Sequence, residues 1–334
     1  MAAISCTPLP KPSQIEIRRA WPIMGTMLTI TVWGTDSLEM LSAVQRGHAA
    51  VILVDSLMSS YRNTSDVARI ARSPESPVRV SKETIHVLLH AREYWGLSGG
   101  LFDPTAGPLT TLWKNAIASG TLPARQSIDS ARALTGLGQA TIDSARQTVR
   151  LGKKGMTLDL GGIAKGYALD LARKEMRGTS AGMIDLGGNV LVFGKSPAED
   201  GKWRIGIVHP RDDQRLLGFV TLDSGAVATS GDYENFFVLH GRRYSHLIDV
   251  TTGMPSRGVL SASAVAPTGE WSDGMSATLM LMGACAGIRV ADSLGTVGAV
   301  IVNDPGNGAV TRDHVYLSAK AALLFRFTPA FTER

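Results

Sequence analysis

The chain has 334 residues, 44% apolar and 19% charged, with 36 glycines spread through turns rather than gathered in one tract. That composition can bury a sizeable core and excludes a disordered or collagen-like chain. The formal charge is +5, but arginines such as Arg72, Arg79, Arg125, Arg132, Arg146 and Arg150 are scattered, so nucleic acid is not expected as a partner and an anionic ligand stays compatible.

Residues 1–16 are Pro-rich and read as a loose segment ahead of one domain over 17–330. Cys6 follows Ala3-Ile4-Ser5, as in a lipoprotein cleavage box, but neither the charged nor the apolar stretch of a leader precedes it. The chain therefore reads as cytoplasmic, or as periplasmic or membrane-anchored if a leader is missing. No apolar run looks long enough to span a bilayer. Residues 27–33 alternate, Leu28, Ile30 and Val32 against Thr29 and Thr31, as a half-buried strand. Apolar residues at helical spacing predict a helix over 38–58. Ser81 can cap a second helix burying Ile85, Leu88 and Leu89, stopped by Gly96 or by Gly99-Gly100. A turn-rich connector follows Gly120 up to about Leu151. Leu158 to Leu160 then reads as a strand running into Gly161-Gly162 and a third helix through Arg177. Residues 184–193, 203–208, 219–222, 236–239 and 243–249 read as strands, the last two joined as a hairpin by His240-Gly241. A fourth helix fits 272–282, and strands fit 297–302 and 314–317. Cys285 sits in an apolar stretch and reads as a core residue; with only two cysteines no disulfide framework or CxxC metal site can form. Helices and strands come in mixed blocks, which predicts an α+β fold with largely antiparallel sheets.

Several segments carry polar chemistry, each with a bland alternative. In Leu158-Asp159-Leu160-Gly161-Gly162-Ile163-Ala164-Lys165-Gly166-Tyr167, N–H groups at a helix start and Lys165 suit a phosphate; the alternative is an ordinary turn with a solvated lysine. The spacing fits neither the dinucleotide fingerprint nor the P-loop. Pro104 and Pro108 stiffen the loop that holds Asp103, which could accept bonds from a ligand or satisfy its own backbone. Tyr61, after the first helix, could stack on a flat ring or be a half-buried loop residue. Residues 227–233, small and polar, suit a tight wall beside a ligand; as a bare pattern they are a turn. His246 could serve as a base or bind phosphate, or be structural. Asp273 is either a helix cap or first-turn acid, or a ligand for a hard cation.

The order of these segments is more specific than any one of them. Met24-Gly25-Thr26, MSSYR, GLFDPTAGPL, LDLGGIAKGYALD, IDLGGNVLVFG, VATSGDYENFF and SHLIDVTTGMP together resemble the ApbE family of FAD:protein FMN transferases, from about Met24 to about Gly283. The resemblance implies an α+β fold with antiparallel sheets and helices in two related halves, a T-fold-type arrangement. It implies that Met24, Tyr61, Asp103, Lys165 and His246 surround FAD, and that Gly162, through its carbonyl, and Asp273 hold Mg²⁺, for which Mn²⁺ could substitute. It implies transfer of FMN from FAD to a Ser or Thr hydroxyl of an acceptor protein, of the membrane redox subunit kind, with release of AMP. Lys165 would aid charge neutralisation and His246 would be the base. The sequence departs from the family pattern at Ala277, where the family has a threonine metal ligand flanked here by Ser276 and Thr278, and at Val250, where it has a proline. Two other readings stay open. One is an FAD pyrophosphatase using water as attacker; the other is a flavin-binding protein without chemistry, which Ala277 keeps in play. A Rossmann-type oxidoreductase is disfavoured by the missing fingerprint.

Overall fold

The computed structural model describes residues 14–233, 236–239, 242–306 and 308–332. Cys6 and most of the segment expected to be loose lie outside these residues, while Ile15 and Glu16 already belong to the first strand. Strands β1 (Ile15–Ile23) and β2 (Thr26–Gly34) form a hairpin. Helix α1 (Ser37–Met58) follows, capped by Asp36, whose carboxylate accepts from the N–H groups of Leu38 and Glu39. Next come α2 (Asp66–Arg72), the short β3 (Val78–Arg79) and α3 (Lys82–Leu97). Ser81 caps α3 by accepting from Thr84 N–H, and the turn beyond it uses Gly99 and Gly100, both at positive φ.

Two helices occupy ground read as loop and connector. Helix α4 (Gly107–Ser119) starts on the Pro-rich loop, with a proline in its first turn, where the lost N–H costs nothing. Helix α5 (Arg125–Arg132) is short and polar, burying only Ile128 and Ala131. β4 (Thr141–Asp143) and β5 (Thr148–Arg150) join β3 in a small sheet. Leu158 to Leu160 do not form a strand. They run as an extended loop held by Asp159 N–H donating to the Pro104 carbonyl at 2.7 Å. Helix α6 (Ala164–Glu175) then begins.

The expected strand over 184–193 is two, β6 (Ala181–Leu186) and β7 (Asn189–Phe193), broken by Gly187 and Gly188 at φ 63° and 87°. β8 (Trp203–His209) and β9 (Asp212–Leu222) pair, and β10 (Gly225–Gly231) makes a strand of the segment read as a turn. β11 (Phe236–Leu239) and β12 (Arg242–Ser245) pair antiparallel as expected, although His240 and Gly241 lie outside the described residues and the strand expected over 243–249 stops at Ser245, before His246. β13 (Ile248–Asp249), β14 (Met254–Pro255) and β15 (Val259–Ala266) lead to α7 (Gly269–Leu294), which is kinked at Gly283. β16 (Gly298–Asn303), β17 (Val315–Leu317), α8 (Ala319–Leu324) and β18 (Phe325–Phe327) end the fold.

The main sheet has eight strands in the order β1-β2-β6-β7-β10-β15-β16-β17, and its pairings are antiparallel. It divides into two similar halves. β1 and β2 with β6 and β7 flank α1 and α6; β10 and β15 with β16 and β17 flank the two segments of the kinked α7. The fold is thus α+β with antiparallel sheets, as the sequence pattern implied.

One face of the sheet packs against α1, α3, α6 and α7 through residues such as Ile30, Ile184, Ala226, Ala262, Ala264 and Ile301. The other face packs against the sheet β18-β9-β8 through Val192, Val227, Leu260, Val265, Val300 and Val302. β15 is therefore buried along its whole length, Ser261 and Ser263 included. Helix α7 is long and apolar enough to pass as a membrane span, contrary to the reading of short apolar runs, but it lies against β10, β15, β16 and α6 in the core. Beyond its kink Cys285 is exposed, not buried, because the break at Gly283 resets which face of the helix meets the core.

Helices α6 and α7 cross where both carry glycine. A Cβ on Gly166 would collide with the Gly269 carbonyl and come within 2.6 Å of Asp273 Cβ, whereas one on Gly96 would meet nothing within 4 Å. Gly166→Ala is expected to lower unfolding free energy by roughly 1–3 kcal/mol. Gly96→Ala is expected to be neutral or stabilising by up to about 1 kcal/mol. Urea unfolding of the two variants checks the contrast.

Candidate functional site

The site is built where the start of α6 meets the second turn of α7. Ile163, at the N-cap of α6, has no side-chain acceptor for the helix's first N–H groups. Asp273 supplies it from the neighbouring helix: its Oδ2 accepts from Gly166 N–H at 2.8 Å, and its Oδ1 accepts from Asn189 Nδ2 at 2.7 Å. Asp273 is only 4% exposed. Asp273 is therefore neither cap nor first-turn acid of its own helix; Thr268 caps α7, accepting from Trp271 N–H. Asp170 of α6 returns the favour, its two oxygens accepting from the N–H groups of Gly269 and Glu270 at 2.7 and 2.8 Å. Burial pushes the Asp170 carboxyl up to about 6, against the pull of those two N–H groups.

Gly162 faces this carboxylate's helix. A Cβ there would lie 3.5 Å from Ala277 Cβ and 3.2 Å from the Phe102 ring, so the loop comes down onto α7 one turn beyond Asp273. Asp273 and Ala277 are four residues apart on one helix and share a face. The candidate ligand atoms that these residues carry are oxygens: the Asp273 carboxylate, the backbone carbonyl of Gly162, and the hydroxyls of Ser276 and Ser230, which bond each other at 2.9 Å. Thr278 points elsewhere, fully buried and donating to the Gly274 carbonyl at 2.7 Å. Each Asp273 oxygen accepts one protein donor and keeps lone-pair capacity, so an all-oxygen set of this kind fits a hard dication such as Mg²⁺.

The helix-start N–H groups are less available for a phosphate than the sequence pattern implied. Gly161 N–H donates to Asp159 Oδ1, Ile163 and Ala164 donate to the Leu160 carbonyl, and Gly166 donates to Asp273. The positive charge here comes from Lys165, half-buried and without a salt bridge among the described residues.

The other expected residues are placed as follows. Met24 takes φ 51° in the β1–β2 turn and packs against the main core; the adjoining Gly187 N–H donates to Met27 O, tying that turn to the one carrying Asn189. Asp103 is buried and turned inward. One oxygen accepts from Thr105 N–H and Oγ1 at 2.8 and 2.6 Å, and the other from Leu137 N–H at 2.9 Å. It holds its own loop, as the backbone-satisfying alternative proposed. Tyr61 is 83% exposed, not half-buried, with Lys114 Nζ donating to its hydroxyl at 3.1 Å. His246, half-buried, lies between β12 and β13. Its segment is fixed by Tyr244 packing on Trp113 and by Trp113 Nε1–H donating to Gly253 O at 2.8 Å. Asp249 lies below the ordinary carboxylate range: burial would raise it, but bonds from Thr251 and Thr252 outweigh that. The geometry thus brings Gly162, Lys165 and Asp273 together around one helix start.

Sequence reasoning missed Asn189, Gly166 and Asp170. Asn189 stood within a quoted motif, but nothing local tells that its amide meets a carboxylate 84 positions away. It also missed His86, His90 and Glu270, whose donor atoms lie within 4.8 Å of one another. The four-residue spacing of the two histidines on α3 was the available signal.

A family model described as the ApbE family matches residues 24–301. The chain belongs to the ApbE family. Among curated relatives, a protein of Vibrio cholerae named FAD:protein FMN transferase is 32% identical over 296 residues, covering 85% of this chain and 86% of that one. One of Klebsiella pneumoniae with the same name is 30% identical over 272 residues, covering 78% and 77%. Among solved structures, the ApbE protein of Thermotoga maritima superposes with TM-score 0.82 at 31% identity, covering 94% of this chain and all of that one. Flavin transferase ApbE from Vibrio cholerae superposes at 0.78 and 28%, covering 93% and 100%. The ApbE match spans both halves of the main sheet, so the meeting of α6 and α7 lies inside the shared fold.

Asp103→Ala leaves Thr105 and Leu137 without a buried acceptor. Ligand-free protein carrying it is expected to lose roughly 3 kcal/mol of stability. Thermal unfolding without flavin checks this; an unchanged midpoint would return Asp103 to a purely ligand-facing role.

Proposed function

We propose that this transferase moves FMN from FAD onto a Ser or Thr hydroxyl of an acceptor protein. The observation that carries the reading is the meeting of Gly162, Lys165 and Asp273 at the α6 start, in a chain of the ApbE family whose relatives carry the name FAD:protein FMN transferase. In this reaction the acceptor oxygen bonds to the FMN-side phosphorus. The bond from that phosphorus to the bridging oxygen breaks, and AMP departs with the bridging oxygen. The hydroxyl proton passes to a base, for which His246 is the candidate. Mg²⁺, held by Asp273 and the Gly162 carbonyl, would supply charge neutralisation at the pyrophosphate. Lys165 adds a second positive charge, and the buried Asn189–Asp273 bond fixes the carboxylate's orientation. Such transfers depend on positioning and electrostatics more than on covalent catalysis by the enzyme.

Asp273→Asn keeps the size of the side chain and removes its charge. It is expected to lower FMN transfer to a Ser/Thr acceptor peptide on the order of 10²-fold, read as the mass gain of an FMN phosphoester and as released AMP. Unreduced transfer in a folded Asp273→Asn protein would sink the metal assignment. AMP and free FMN with unmodified peptide would instead favour the pyrophosphatase. Ala277→Thr restores a hydroxyl on the Asp273 face, opposite Gly162, and is expected to lower the Mg²⁺ concentration for half-maximal transfer. A Mg²⁺ titration of wild type against Ala277→Thr checks it, and a raised requirement would show that Ser230 and Ser276 already complete the site.

A further inference from the structure

A second group of ligating side chains lies one turn before Asp273 on α7 and has a different chemistry. His86 and His90 stand four residues apart on α3, so their rings share a face, with centroids 4.5 Å apart. Both turn toward Glu270. His86 Nε2 is 3.0 Å and His90 Nδ1 is 3.6 Å from Glu270 Oε2, and the ligating atoms all lie within 4.8 Å of one another. Nitrogen and oxygen donors around a tetrahedral zinc at bond lengths of about 2.0–2.1 Å are separated by about 3.3–3.5 Å, close to the two shorter gaps here.

A plain ion pair accounts for only part of this arrangement. It satisfies His86 Nε2 and Glu270 Oε2, but leaves Glu270 Oε1 and His90 Nδ1 buried with no hydrogen-bond partner among the described residues. Glu270 itself is 4% exposed. Two unpartnered polar atoms, one on a buried carboxylate and one on a facing imidazole, are what a metal would engage. The backbone that carries this carboxylate is held from both sides: Glu270 N–H donates to Asp170, and the Glu270 carbonyl accepts from the buried Tyr94 hydroxyl at 3.2 Å. Preorganised backbone of this kind favours a defined site over a chance encounter of side chains.

The geometry points to a Zn²⁺-class transition-metal site formed by His86, His90 and Glu270, clamping α3 to the first turn of α7. It is independent of the flavin reading, since its donor set is rich in nitrogen where the Asp273 set is all oxygen. Of the three, His86 also lines a cleft of ≈ 630 Å³ with Arg46, Lys82, Glu83, Tyr167 and Lys174, so the group is reached from solvent on the His86 side. None of Met24, Tyr61, Asp103, Gly162, Lys165, His246 or Asp273 lines that cleft.

The test uses the full chain, stripped of metal and held in excess Mg²⁺ to occupy oxygen sites. Co²⁺ is added to read its visible ligand-field bands, and Zn²⁺ to compete them away. One equivalent of Co²⁺ with the intense bands of four- or five-coordinate nitrogen ligation, displaced by one equivalent of Zn²⁺, is expected. His90→Ala is expected to weaken binding by about ten-fold or more, and His86→Gln/His90→Gln to abolish the bands. Zn²⁺ should raise the unfolding midpoint of wild type by roughly a few degrees and leave the double variant unmoved. Both histidines are partly exposed on a helix surface, so the variants are expected to fold. Absence of one-equivalent binding in the wild type, or bands unchanged in the double variant, overturns the proposal.

Discussion

The structure turns on an exchange of carboxylates between two helices. Asp273 of α7 accepts from the first turn of α6, and Asp170 of α6 accepts from the first turn of α7. Each acid lies at the positive end of the other's helix, where its charge is favoured and orphan N–H groups need an acceptor. The exchange is possible only because the helices approach without side chains between them, at Gly166 and Gly269. Burying two carboxylates costs desolvation, which shows in the raised Asp170; the N–H groups are what keep that cost tolerable.

The same arrangement explains why a structural and a ligand-facing reading of Asp273 do not compete. A carboxylate fixed by one N–H and one amide donor has little rotational freedom left and unspent lone pairs, which suits a metal ligand. Asp103 shows the opposite case. Three protein donors converge on it, two of them on one oxygen, and it fastens the loop that precedes α4 to the turn at Leu137. Two acids that looked alike as sequence thus do different work, and the difference lies in how many donors the fold has already committed to each.

What was legible in the sequence follows from which signals are local. Half-buried strands announce themselves by alternation, as β2 does, and helices by apolar spacing, as α1 does, or by a cap such as Ser81. β15 escaped because both of its faces are buried and its middle is small: Ser261 and Ser263 alternate with Ala262 and Ala264, too weak a contrast to mark a strand. α4 escaped because Pro104 and Pro108 read as loop stiffeners, although a proline in the first turn is as good a sign of a helix start. The family and its fold could be read from the order of the motifs. The partners of Asp273 could not, because Asn189 and Gly166 reach it only through the crossing of distant elements.

Ala277 shows how a single departure from a motif is absorbed by its surroundings. A threonine there would place a hydroxyl between Asp273 and the Gly162 loop; alanine instead lets the loop lie 3.5 Å from its methyl carbon, measured at the Cβ that Gly162 lacks. The adjacent hydroxyls do not simply move in. Thr278 is committed to its own helix at Gly274, and Ser276 is shared between the Asp273 carbonyl and Ser230 on β10. Only the Ser276–Ser230 pair could turn toward a cation, and it would do so by giving up a bond between two hydroxyls, each of which can both donate and accept. Under the proposed metal role, the Asp273 carboxylate and the Gly162 carbonyl would therefore carry more of the coordination than they would beside a threonine. That places greater weight on the helix crossing that holds Asp273 in position.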